Sequence, residues 1–417
     1  MTRRWRIFAV LAFLYLLAYF YRVSMAVLAG DLTRDLSLSA TQLGTLSGIY
    51  FFAFAVTQIP LGPLLDRYGG KRIVVLVGLA TCAGTVVFAR ATGYPQALAG
   101  RILLGIGSAS VLMGSLRVFT NWFDRREFGR VSGFIIAVGN LGNLAGTAPL
   151  ALSASAFGWR ATFFAVACLQ AIALMLVQRV VRERPETPST APSGPPAVSV
   201  SPLDGLGQVL KTPSYWLMSL LAFSWYANYM AVQGLWGGPY LMEAIGLTRE
   251  SAGRVLLATS LGFLIGCLFI GSVTERLFHS TKRTLLAGQI LFLICMTFFL
   301  GPAEKLPHGL LLPFFFLLGI AVSSGVTVYP MIRESFSHDI IGTALTAVNF
   351  FILMGAATMQ QFMGIVINRY GRSADGYAPE AFHAAFLLPI SLLVLAVILF
   401  TRIPDPRSAN KANSACH

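Results

Sequence analysis

Apolar runs of membrane length limit what this chain can become more than any other feature. Arg6 to Gly30, Gly44 to Leu65 and Ile73 to Ala89 follow one another with brief polar interruptions. A bilayer core about 30 Å thick is crossed by roughly 20 helical residues. The 417 residues are 56% hydrophobic and 12% charged, whereas a soluble domain carries about 25% charged residues, so there is too little polar surface to face water. Twelve spans are expected, near residues 7–30, 43–65, 73–90, 96–119, 128–152, 160–179, 214–239, 252–274, 284–301, 308–331, 341–367 and 382–402. The expected fold class is all-α, a polytopic membrane protein with 12 transmembrane helices. The first span begins after Arg3, Arg4 and Arg6 without a small-residue cleavage site of the usual type, and reads as a retained helix and not a signal peptide.

The net charge of +14 would bring nucleic acid to mind in a soluble protein. Here loop basicity accounts for it, because cytoplasmic loops of membrane proteins collect Lys and Arg. With the N-terminus inside, about 20 Lys and Arg fall on the cytoplasmic side and about 8 outside, which sets both termini in the cytoplasm. Of the cysteines, Cys82, Cys168, Cys267 and Cys295 lie in apolar runs and Cys416 in the tail, with no metal-ligand spacing. The histidines sit in loops, at span ends or at the tail. The sequence holds no metal constellation, no nucleophile–base pair and no Gly-rich phosphate loop followed by Lys-Ser or Lys-Thr. An enzyme, a cofactor, a bound metal and a nucleic-acid partner are therefore not expected, nor is ATP as the energy source.

Between spans six and seven, RERPETPSTAPSGPPAVSVSP (182–202) is rich in Pro, Ser and Thr. It has little to bury, and reads as a loose linker. Ser201 followed by Pro202 suits the start of a short surface helix reaching Leu210. The expected domain plan is an N-terminal six-helix half at 1–181, the linker and surface helix at 182–213, a C-terminal six-helix half at 214–402 and a cytoplasmic tail at 403–417. One polar cassette occupies the same place in each half, GPLLDRYGGKR from Gly62 and GSVTERLFHSTKR from Gly271. Gly62 and Gly271, Asp66 and Glu275, and Arg67 and Arg276 each stand 209 positions apart. Pseudo-symmetric halves with a site between them are a common secondary-transporter plan.

The first cassette carries the loop signature of the major facilitator superfamily, G-x-x-x-D-R-x-G-x-(K/R)-(K/R), as Gly62, Asp66, Arg67, Gly69, Lys71 and Arg72. RILLGIG from Arg101 in span four and Gly158-Trp159-Arg160 at the opening of span six are further marks. The chain resembles that family over nearly its whole length. The resemblance implies that the cassette latches the halves in one state and releases them in the other. Gly62, Asp66 and Arg67 would serve one half, and Gly271, Glu275 and Arg276 the other. Gly62 admits close helix approach, and Asp66 can accept bonds from helix amides or Arg.

Charges inside spans are costly and mark function by default. By position these are Arg22, Arg101 and Arg117, and no acid falls near the middle of a span. An unneutralised guanidinium invites an anion, because it is planar, forked and always charged. Arg22 lies about fifteen residues into span one, roughly 22 Å by helix rise, with Tyr19 on its helical face. AYFYRVSMAV (18–27) is similar to the span-one Arg segment of the organic-anion branches of the superfamily, the organophosphate antiporters and anion:cation symporters. The resemblance implies that Arg22 meets substrate. It implies for Arg101 a structural or proton-relay role, and the Glu usual seven residues on is here Ser108. Arg117, five before Trp122, matches a spacing seen in phosphate-ester antiporters, and equally suits snorkelling. Tyr226 and Tyr229 in span seven, Asn140 in span five, and Asn349 and Gln361 in span eleven are further substrate-contact candidates. The alternative for each is helix packing.

The expected function is secondary active transport of a small organic anion by alternating access, as antiporter or symporter. A drug or hydrophobic-compound exporter of the same fold is the first alternative. A non-transporting membrane sensor is the second. Expected partners are an anionic organic solute, the lipid bilayer and a coupling ion or counter-anion. A monomer in the inner or plasma membrane is expected.

Overall fold

The computed structural model describes residues 2–183, 202–336, 340–373 and 376–403. Most of the expected linker, Ser201 and nearly all of the tail lie outside these residues. Asp66 continues a helix, but its side chain also lies outside them.

The N-terminal half comprises α1 (Arg3–Leu36), α2 (Ala40–Tyr68), α3 (Gly70–Ala89), α4 (Tyr94–Trp122), α5 (Arg125–Ala145), α6 (Ala148–Phe157) and α7 (Trp159–Val180). A short α8 (Pro202–Leu210) leads into α9 (Pro213–Met230). The same rod continues through a π-helical stretch (Ala231–Trp236), α10 (Gly237–Pro239) and a second π-helical stretch (Tyr240–Ala244). Then come α11 (Arg249–Val273), α12 (Thr281–Thr297), α13 (His308–Ser323), α14 (Val328–Ser335), α15 (Ile341–Asn368) and α16 (Pro379–Thr401).

Among the described residues, 10 helices are long and apolar enough to cross a membrane. An eleventh span is a broken one: residues 130–145 and α6 meet at 41°. Span five was expected to be continuous over 128–152, and the structure corrects this. Gly146 ends α5, Thr147 leaves helical geometry at φ −113°, ψ −110°, and Pro149 belongs to the first turn of α6. The remaining expected span, the seventh at 214–239, corresponds to the rod from Pro213 to Ala244. Across Gly234, Gly237 and Gly238 the helix stays closed by widening into π turns, a form frequent at functional sites.

Local chemistry sets the ends. Ser39 and Gln42 close a reciprocal capping box on α2, with Gln42 N donating to Ser39 Oγ at 3.2 Å and Ser39 N to Gln42 Oε1 at 2.9 Å. Trp159 Nε1 and Arg160 Nη1 both donate to Asp35 Oδ2, at 2.9 and 2.7 Å. The Gly-Trp-Arg mark thus ties the start of α7 to the end of α1. The two halves also repeat a tether between the start of the third span and the end of the sixth. Lys71 N donates to the Glu183 carboxylate just past α7, and Lys282 Nζ donates to the carbonyls of Thr401 and Ile403 at the end of α16.

Close packing relies on missing side chains. A Cβ at Gly142 would stand 2.0 Å from Leu16 O, so α5 lies directly on the α1 backbone. Between halves, a Cβ at Gly48 would stand 2.3 Å from Ala357 O, which seals α2 against α15. Gly238 meets the Ala26 carbonyl in the same way. Small residues permit such approach where lipid supplies no hydrophobic force between helices. These seals sit toward the end of the molecule where α1 finishes. At the other end, Gly62, Gly133, Gly271 and Gly342 have open space where a Cβ would stand.

Candidate binding site around a buried arginine

Arg22 projects from the middle of α1 and is 8% exposed. Its guanidinium carbon lies 4.3 Å from the Tyr19 ring centroid and 4.9 Å from that of Phe54 on α2. Hydroxyls of Tyr226, Tyr19, Tyr50 and Tyr15 are its electrostatic neighbours, and Tyr329 on α14 joins the same cluster. Nε of Arg22 is buried without a hydrogen-bond partner. Among the described residues, no carboxylate forms an ion pair with it. Ring faces offset part of the cost of burying this charge, about 0.5–2 kcal/mol per contact. They supply no counter-charge, so the centre remains cationic; the Tyr226 hydroxyl is a side-chain hydrogen-bond partner of the guanidinium, while Nε stays unpaired.

Both halves build the cluster. Tyr226 packs edge-on to Phe51 of α2 at 6.3 Å between centroids, and lies 6.0 Å from Tyr229. Tyr229 stacks on Phe263 at 5.3 Å, and its buried hydroxyl has no partner. Asn349 Nδ2 donates to Gln58 Oε1 at 2.9 Å across the halves, and Tyr329 OH donates to Asn349 Oδ1 at 3.3 Å. Tyr15 OH donates to Tyr19 OH at 3.2 Å, and the Gly142 contact holds α5 behind them. Sequence reasoning missed Tyr50, Phe54, Gln58 and Tyr329. Gln58 and Tyr329 are polar groups inside apolar runs, and that signal was readable.

Several candidates stand elsewhere. Arg101 was a candidate substrate contact for which the resemblance implied a structural or proton-relay role. It is fully buried, with Nε bonded to Leu46 O at 3.0 Å, Nη1 to Tyr21 O at 3.0 Å and Nη2 to Ser47 O at 3.3 Å, which suits the structural role and not a substrate contact. Tyr50 lies under it at 4.7 Å. It staples α1, α2 and α4, and its donors face backbone. Arg117 is exposed near the end of α4, beside the Gly70 turn of α3, and not at Arg22. Gln361 is exposed; the buried amide is its neighbour Gln360, whose Nε2 donates to Met230 O at 2.9 Å. Asn140 turns back into α5, donating to Ile136 O at 3.1 Å and accepting from Asn143. In the expected latch, Arg67, Glu275 and Arg276 are exposed, and Gly62 and Gly271 make no close helix contact. A cavity of about 610 Å³ lies away from Arg22, at the mouth where α1 ends, lined by Asp31, Arg34, Asp35, Trp159, Arg160 and Arg249 with their neighbours.

Fold and site together define a class: an all-helical membrane protein in which two halves meet over a buried cationic centre. The family model described as Major Facilitator Superfamily matches residues 11–236 and 230–415. The chain belongs to that superfamily. The hexuronate transporter of Bacillus subtilis (strain 168) is 26% identical over 415 residues, covering 94% of each chain. The probable L-galactonate transporter of Escherichia coli (strain K12) is 28% identical over 296 residues, 67% of this chain and 65% of that one. A solved bacterial homologue of the human lysosomal transporter Spinster, inward-facing and unoccupied, shares the fold, with TM-score 0.78 at 17% identity over 96% of each chain. Two of the curated relatives are matched over only 39% and 65% of their own length.

Proposed function

We propose that the chain is a secondary transporter that carries a small organic anion by alternate opening of its two halves. One observation carries this reading: the Arg22 guanidinium is buried among aromatic rings, with Nε unpaired and no carboxylate partner among the described residues. An arriving anion would supply the missing charge and accept from the guanidinium, beginning with the unpaired Nε. Tyr226, Tyr229 and the Gln58–Asn349–Tyr329 chain would hold the rest of the solute. Two similar proteins named for sugar acids support an anionic, hydroxylated substrate. Exchange against a second anion is the favoured mode, because an empty cationic centre resists closure and leaves the return step costly.

The exposure of Arg67, Glu275 and Arg276, with the cross-half glycine contacts of Gly48 and Gly238 lying toward the other end, fits a state in which the cassette latch is released. By the positive-inside bias the cassette end faces the cytoplasm, in an inner or plasma membrane. Asp66, Arg67, Glu275 and Arg276 would engage in the opposite state.

Thermal stability of the purified protein, read against uronates, aldonates, phosphate esters and cationic drugs, tests the substrate class. Anions should raise Tm in the wild type and not in Arg22→Gln. Flux into anion-loaded liposomes tests transport. Stabilisation by cations alone would overturn the anion reading, and binding without flux would mark a sensor.

A further inference from the structure

We propose that Asp31 and Arg249 form a gate, a charge clasp between the halves that parts once in each transport cycle, with Ser155 and Glu250 as its second tie. The inference rests on the transport reading above but not on the anion class. Asp31 lies in the last two turns of α1 and Arg249 opens α11, in the other half of the molecule; their side chains are bonded across the boundary. Beside them Ser155 of α6 donates to the Glu250 carboxylate, again across the halves. The Asp31 side chain is 4% exposed and that of Arg249 23%. Such a pair is screened less than a surface ion pair and is missed more when one partner is removed.

Three features suit the clasp to repeated opening. Asp31 keeps a second cation on its own helix, Arg34 Nη2 at 3.1 Å, so parting does not strand a buried acid. Arg249 keeps Glu250 beside it as an electrostatic neighbour. The cavity of about 610 Å³ at this mouth borders both ties, so released charges meet water at once. One turn below, the chemistry changes. Gly253 of α11 packs on Ala148 and Ala151 of α6, where an added Cβ would stand 2.9 Å from that of Ala151. A charged rim therefore sits over a seal of small apolar residues. The seal closes tightly but carries no direction, whereas the ion pair fixes which residues meet and gives the closed state an electrostatic bias.

Spin labels at Phe157 and Arg254, exposed positions on α6 and α11, report the width of this mouth. The full chain is used in lipid nanodiscs, with native cysteines replaced by alanine, and no substrate is needed. Arg249→Gln and Asp31→Asn should each raise the ratio of wide to narrow distances by about tenfold, the size expected of a half-buried ion pair. Arg249→Lys, which keeps the charge, should return most of the population to the narrow state. Unchanged distances in both neutral variants would overturn the clasp. So would Arg249→Lys opening the mouth as far as Arg249→Gln, since only packing would then matter. Tm of each variant shows whether the fold is kept, and Asp31→Asn reads the same bond if Arg249→Gln fails to fold. Liposome flux of the wild type tests transport alone and mouth width tests the clasp alone, so the two failures are distinguishable.

Discussion

At the scale of single residues, Arg22 and Arg101 are both arginines buried inside spans, and they do opposite things. Arg101 spends its donors on three helix carbonyls. Arg22 meets rings and leaves Nε unpaired. Their substitutions should separate accordingly. Arg101→Ala removes a charge-assisted staple and leaves its carbonyl acceptors short of a partner, a loss of about 2–4 kcal/mol. It should lower Tm sharply while any surviving protein keeps its anion-dependent stabilisation. Arg22→Lys should hold Tm within a few degrees yet lower anion flux by about tenfold or more, because an ammonium lacks the planar fork and stacks less well. Equal loss of stability in both variants would contradict the assignment. Sequence position alone shows that each is an in-span charge. It cannot show the difference, because the acceptors of Arg101 are backbone atoms from other helices and have no side-chain signature. Gln361 fails for a simpler reason. Neighbouring residues on a helix point about 100° apart, so Gln360 turns inward where Gln361 turns out.

At the scale of elements, glycine stripes decide where helices lie. Gly139, Gly142 and Gly146 lie at three- and four-residue spacing along span five, and α5 rests on α1 through them. Gly142→Val should push α5 off the Leu16 carbonyl and disturb the Tyr15–Tyr19 pair behind Arg22. The expected outcome is reduced yield of monodisperse protein and weaker anion stabilisation together, measured by size-exclusion chromatography and thermal shift. Apolar length gave most spans, because hydropathy and helix rise act on each segment independently. The break at Gly146–Thr147 and the π turns of the rod beginning at Pro213 were not legible. Each answers to a neighbour: α1 approaches Gly146 and Gly238 closely, and the chain bends or widens to admit it.

At the scale of the whole molecule, the state of the mouths is a contact property. The duplicated cassette could be read from residues at a constant offset, so the two halves were visible in the sequence. The Asp31–Arg249 bond joins residues far apart in the chain, and no periodicity marks it. Gly48→Leu offers an independent test of the same closure. Its side chain would enter the Ala357 backbone and force α2 from α15, so label distances at the mouth where α1 ends should lengthen although both clasp residues are unchanged. Narrow distances in that variant would mean that α2 and α15 do not separate during opening. One further consequence follows from the way Arg101 binds α1, α2 and α4 together. Arg22 then travels with a stiff block, while Tyr226 and Tyr329 belong to the opposite block. A solute gripped between them is a shared rivet: while it stays, the blocks must tilt as a pair, and when it departs each carries away half of an unfinished socket.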